Sequence, residues 1–252
     1  MNYLYKDNVI STKLEWEEAF NKAYNSKGKD IHWKIGRSGE CLAEDFIGKD
    51  ATGEESIVDM ISSFLGTTNV VLETAKIEHR SIFDNHPRPR IQDLAIWGKA
   101  DNVNVFVGIE AKVDEAFGSR TIAQQRNYIK GLTTTEADLR LDELVKNYLN
   151  GDELNNGKIR YQLLYYLAGS FCEKNADIIF LPVIVYKTRS KSFNLYSQTK
   201  GKANKDAYKL FMEKLGFEVV EHIIGGHIKM AYYKKISVNG IEKDIYSCYM
   251  VK

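Results

Sequence analysis

The pattern of apolar and polar positions divides the chain into a recognisable series of elements. In "WKIGRSGECLAEDFIG" (33–48), Leu42 and Phe46 lie four apart. Ser38 has the chemistry of an N-cap there, and Gly48 can end the helix. "GEESIVDMISSFLG" (53–66) places Ile57, Met60, Ile61 and Leu65 on one side of a second helical segment. Three strands are then predicted in "NVVLETAKIEHR" (69–80), "IQDLAIW" (91–97) and "NVFVGIEAKV" (104–113). Helical spacing returns at Leu141, Leu144, Val145, Tyr148 and Leu149, followed by a buried helix in "KIRYQLLYYLAGSFCE" (158–173). "ADIIFLPVIVY" (176–186) is apolar enough for the middle of a sheet. An amphipathic helix in "NKDAYKLFMEKLG" (204–216) and strand-like runs, with turns at Gly225-Gly226 and Asn239-Gly240, complete the chain.

The resulting fold class is α/β, a mixed central sheet with the order helix, three strands, helix, strand. Residues 1–186 are expected to form that core behind an N-terminal helical lead-in. Residues 187–252 would form an α+β extension packed on the same domain. Composition fits one soluble globular chain, with 44% hydrophobic and 27% charged residues among 252 and only three prolines. Cys41, Cys172 and Cys248 are far apart, odd in number and without metal spacing, which suits a reduced, cytoplasmic compartment. No secretory leader or membrane span is expected.

Charge adds one feature. The chain is near neutral at +1, yet residues 187–252 hold 13 Lys/Arg against 6 Asp/Glu. A basic third suits contact with phosphates, although a lysine-rich solvated surface gives the same count.

The candidate chemistry lies in "GIEAKVDE" (108–115). Val105, Val107, Ile109 and Val113 share one strand face, while Glu110 and Lys112 share the other. If Asp101-Asn102 forms the turn to the preceding strand, Leu94 faces Ile109, Ile96 faces Val107 and Trp97 faces Phe106. Asp93 then lies opposite Glu110. Two carboxylates so placed repel unless a cation lies between them, and Mg²⁺ or Mn²⁺ is the natural choice. Lys112 could reach a metal-bound water or a phosphate, an arrangement suited to phosphodiester hydrolysis. An ordinary cross-strand ion pair explains the Glu-x-Lys triplet equally simply.

Asp93, followed 17 positions later by Glu110-Ala111-Lys112, resembles the D…(D/E)xK signature of the PD-(D/E)XK nuclease superfamily. The resemblance extends over residues 38–186, whose element order matches that superfamily's α-β-β-β-α-β core. It implies Asp93, Glu110 and the carbonyl of Ala111 as metal ligands, with Lys112 orienting or activating the attacking water. Gln92 stands where the motif often has Pro. A Gln on the following helix is a looser family feature. Gln162 matches it, with Tyr166 one turn on; a polar residue beside a core tyrosine is the alternative. A Glu on the first helix is another, for which Glu40, ahead of Glu44, is the candidate. Arg37, Arg88 and Arg90 are placed to touch phosphates.

No phosphate-cradling glycine loop, nucleophile elbow or histidine metal spacing occurs. The sequence therefore predicts a Mg²⁺- or Mn²⁺-dependent nuclease acting on nucleic acid, double-stranded DNA before RNA, with a homodimer compatible. The alternative is a nuclease-fold module that binds nucleic acid or a protein partner without cutting.

Overall fold

The computed structural model describes residues 1–24, 33–86, 89–113, 115–131, 136–187 and 197–252. Among them, one nine-stranded mixed sheet is the spine of the molecule. The chain begins with β1 (Asn2–Tyr5) and β2 (Asn8–Ile10), then α1 (Lys13–Tyr24), α2 (Ser38–Ile47) and α3 (Gly53–Leu65). The strands β3 (Val70–Ser81), β4 (Arg90–Ala100) and β5 (Val103–Lys112) follow. Next come α4 (Ile122–Lys130), α5 (Glu136–Leu149), the single-turn α6 (Glu153–Asn156), α7 (Tyr161–Phe171) and β6 (Ile178–Val185). The last part is α8 (Gln198–Lys214), β7 (Glu218–Val219), β8 (Ile228–Val238) and β9 (Ile241–Val251).

The spatial order is β2-β1-β3-β4-β5-β6-β9-β8-β7. β3, β4 and β5 form an antiparallel meander, and β6 joins β5 in parallel after the α4–α7 crossover. The central strands β5 and β6 are buried on both faces. Leu94, Ile96, Val105, Val107 and Ile109 pack with Trp16, Phe46, Ile57 and Ile61 from α1–α3. Ala95 and Phe106 face the opposite cluster, with Leu141, Leu163, Leu167 and Phe211 from α5, α7 and α8. Because β6 is covered on both sides, its residues are almost uniformly apolar rather than alternating.

The expected β4–β5 register is observed: Leu94 pairs with Ile109, Ile96 with Val107 and Trp97 with Phe106. Asp101 begins the turn with φ 52°, a left-handed conformation that Asp tolerates. The Asn239-Gly240 turn is also as expected, with φ 52° and 79° at the two positions.

Three expectations are corrected and a fourth is extended. The N-terminal lead-in is not purely helical: β1 and β2 form a hairpin, and β1 adds in parallel to the edge of β3. Ser38 is not the N-cap of α2. Arg37 occupies that position, and the Ser38 hydroxyl donates 3.1 Å to Glu115 instead. The glycine turn is displaced by one residue, since Gly225 and Ile228 bond to each other around Gly226-His227. Finally, residues 187–252 do more than pack on the core. β9 pairs in parallel along β6, so the C-terminal strands continue the same sheet.

Candidate active site

The side chains that could carry chemistry meet where regular pairing in the meander ends. The β4–β5 ladder stops at Leu94–Ile109, and the β3–β4 ladder passes over Asp93. Glu78, across from Asp93 on β3, has φ 52°. Side-chain alternation along β4 breaks at the same point. Leu94 faces the α1–α3 side, whereas Gln92 turns toward α7 and donates to the Ser170 hydroxyl at 2.9 Å. Strict alternation would have sent Gln92 and Leu94 to one face. The Asp93 carboxylate takes the place of a ladder bond, accepting the Ala111 N–H at 2.7 Å.

Glu110 lies at the centre of the arrangement and is 1% exposed. One carboxylate oxygen accepts from Lys112 and, at 2.8 Å, from the Gln162 amide on α7. Its other oxygen accepts from the Arg90 guanidinium. Lys112 and Arg90 are each 7% exposed, so all three charged members of the network are largely withdrawn from solvent. Lys112 sits over the Phe117 ring at 5.8 Å, and Arg90 over the Tyr166 ring at 5.5 Å. Tyr166 holds the layers together: its hydroxyl donates to the carbonyls of Gly108 on β5 and Pro182 on β6. Pro182 has no N–H to give its ladder, yet its carbonyl is used here.

The site opens into a cleft of about 420 Å³. Asp93, Glu110, Lys112 and Glu115 line it together with Arg90, Gln162 and Tyr165, and Ser38, Gly39 and Phe20 close the α1–α2 side. The two neighbouring carboxylates have opposite protonation tendencies. Burial, and then the charge of Glu110, push the Asp93 carboxyl up to about 7, against the pull of Lys112 and Arg90. Burial also opposes ionisation of Glu110, but Lys112 and Arg90 outweigh it and hold that carboxyl below its ordinary value. For Lys112, burial is outweighed by Glu110 and Asp93, so the ammonium is held more firmly than in water.

The structure thus brings Asp93, Glu110, Lys112, Gln162 and Arg90 together. Ala111 contributes its backbone between the two carboxylates. Glu40 is not brought in. It accepts from Lys13 of α1 and from the Gly36 N–H and does not line the cleft, and Glu44 also pairs with Lys13. The acidic residue that does line it from beyond β5 is Glu115. Burial opposes its ionisation, but the Val113 and Glu115 N–H groups, Lys112 and Ser38 together hold its carboxyl low. Alternation could not identify Glu115, because the chain leaves the strand at Val113 and odd and even positions no longer mark faces. Arg37 serves as the α2 N-cap through its backbone, its carbonyl accepting the Cys41 N–H at 2.9 Å. Arg88 lies outside the described residues.

Among the described residues, no group of three or more His, Cys, Asp or Glu side chains stands close enough to hold a metal by itself. A metal here would need the backbone oxygen of Ala111 beside the two carboxylates. The donors are nevertheless all oxygens, the kind that Mg²⁺ and Mn²⁺ prefer.

Residues 10–239 of the 252 match one family profile. The chain belongs to that family. It is described as a domain of unknown function, DUF6946. No curated protein and no solved structure matches the chain. The membership therefore assigns this DUF6946 chain no chemistry, and the functional reading rests on the cleft. Among the described residues, no helix is long and apolar enough to cross a membrane.

Proposed function

We propose that this protein is a metal-dependent nuclease that hydrolyses phosphodiester bonds in DNA, on a core like that of the PD-(D/E)XK superfamily. One observation carries the reading: Asp93 of β4 and Glu110 and Lys112 of β5 line a single cleft, with Gln162 of α7 bonded to Glu110. The order α2, α3, β3, β4, β5, α7, β6 supports it, as does the parallel pairing of β6 with β5. The basic C-terminal third gives further support for a phosphate-bearing substrate.

Asp93, Glu110 and the Ala111 carbonyl would hold the metal. When bound, a divalent cation supplies Lewis acidity toward the phosphate and lowers the pKa of a bound water. The chain's own residues do the positioning. Lys112, kept protonated by Glu110 and Asp93, acts as a fixed cation that orients a water or a phosphate oxygen and offsets charge growing on it. Gln162 fixes the Glu110 carboxylate, leaving its orientation independent of the substrate. Ser38 and Val113 hold Glu115 at the rim.

A second reading is favoured by one specific feature. Both oxygens of Glu110 are already engaged by cations, which suits a nuclease-fold module that binds without cutting. Incubation of supercoiled and linear DNA with Mg²⁺ or Mn²⁺ separates the two. Cleavage that falls about a hundredfold or more in both Glu110→Ala and Lys112→Ala supports the nuclease. DNA binding with no cleavage by the wild type supports the second reading, and neither binding nor cleavage refutes both.

A further inference from the structure

We infer that Arg90 is a latch on the metal carboxylate: it holds Glu110 until a substrate phosphate draws it away, so that metal uptake and nucleic-acid binding are linked. The inference rests on the nuclease reading above. Two cations share the Glu110 carboxylate, and a divalent ion approaching it meets both charges. The two differ in how they are held. Lys112 is two residues from Glu110 on the same strand, so its ammonium belongs to the site in any state. Arg90 arrives from elsewhere, as the first residue of β4.

Its stem and head are treated differently by the fold. The Cβ and Cγ of Arg90 press on Gly169 of α7, where an added methyl group would lie 2.8 Å away. Beyond that pivot the guanidinium bonds Glu110 and lies over the Tyr166 ring, and Arg90 borders the cleft together with Asp93 and Glu110. Residues 80–81 and 91 fix the backbone on either side, Ser81 pairing directly with Arg90. The backbone is therefore held, while the residue that carries the guanidinium borders the ligand space. A planar guanidinium binds phosphate through two parallel bonds, which gives it a second partner as good as Glu110. A phosphate in the cleft thereby removes one positive charge from the carboxylate that the cation needs. By reciprocity, the cation must strengthen phosphate binding by the same factor. Sequence alternation gave no sign of this pair, since it arises from the break in alternation at Gln92–Asp93.

Titration calorimetry with Ca²⁺ on the folded full chain tests the latch, with and without a short DNA duplex. Arg90→Met keeps the stem that packs on Gly169 but removes the charge; Arg90→Gln is a polar second variant. Without DNA, both should bind Ca²⁺ about tenfold or more tighter than the wild type, because a unit charge has left the immediate neighbourhood of the ion. Duplex should tighten Ca²⁺ binding in the wild type by a larger factor than in either variant. Equal or weaker Ca²⁺ binding by the variants, with binding still lost in Glu110→Ala, overturns the latch and leaves the nuclease reading standing. Absence of Ca²⁺ binding in all the proteins, with and without duplex, overturns both.

Discussion

Replacing Asp93 by Asn should stabilise the protein at alkaline pH, with a gain that shrinks as pH falls toward 4. Asn keeps the oxygen that accepts the Ala111 N–H at 2.7 Å and removes only the charge. In the folded chain the Asp93 carboxyl is raised from 3.8 to about 7, first by burial and then by Glu110. Between those values the folded state binds a proton that the unfolded state has released. Stability of the wild type therefore falls as pH rises through this window, and the whole penalty is present above about pH 7. Three decades of proton affinity correspond to about 4 kcal/mol. Asp93 is only partly buried, and solvent screening at the cleft cuts this to about 2 kcal/mol. Glu110 does not cancel the slope. Its carboxyl is lowered, so its stabilising contribution is lost only as pH falls below the ordinary carboxylate range.

Urea unfolding measured from pH 4.5 to 8.5 gives the answer directly. With a slope of about 2 to 3 kcal/mol per molar urea, the Asn variant should unfold about 0.7 to 1 M later at pH 8. The difference should narrow to about a quarter of that as the buffer approaches pH 4.5. A midpoint difference independent of pH, or an Asn variant less stable at pH 8, would refute the electrostatic account of this cleft. The same variant should lose DNA cleavage, a gain in stability coinciding with a loss of function. That pairing is expected where like charges are held together for chemistry.

Two further outcomes concern how the fold holds the site. Tyr166→Phe removes the hydroxyl that joins Gly108 of β5 to Pro182 of β6, and should cost about 1 to 2 kcal/mol, seen as an earlier urea midpoint. A midpoint equal to that of the wild type would mean the hydroxyl's bonds add nothing across these strands. Gly98→Ala should be far more damaging, because its Cβ would lie 2.3 Å from the backbone oxygen of Val71, beside the register shift at Leu72/Thr74. Loss of soluble, cooperatively unfolding protein is expected, and thermal melting of any recovered protein within a few degrees of the wild type would contradict the contact.

Much of the architecture was determined by the sequence alone, for a local reason. Alternation of period two, or spacing of three and four, records which side of an element is buried, and the α2–β6 series carried that record clearly. The turn at Asp101-Asn102 then set the β4–β5 register, because one slipped residue would have put Leu94 and Ile96 on the face opposite to Val107 and Ile109. Asp93, Glu110 and Lys112 were legible because they follow from that register. The uniform apolarity of β6 marked it as central for the same reason.

What only the tertiary structure decided begins where periodicity fails. Arg90 reaches Glu110 because alternation breaks at Asp93, and Glu115 reaches the rim because the chain leaves the strand at Val113. Glu40, spaced well for the cleft along its helix, is instead claimed by Lys13, a residue 27 positions earlier. The edge position of β1 and the insertion of β9 beside β6 are likewise long-range choices. Each depends on which distant surface offers a partner, a comparison of free energies between elements that no local pattern contains. Spacing along one element fixed which residues share a face; the packing of several elements fixed which charges meet.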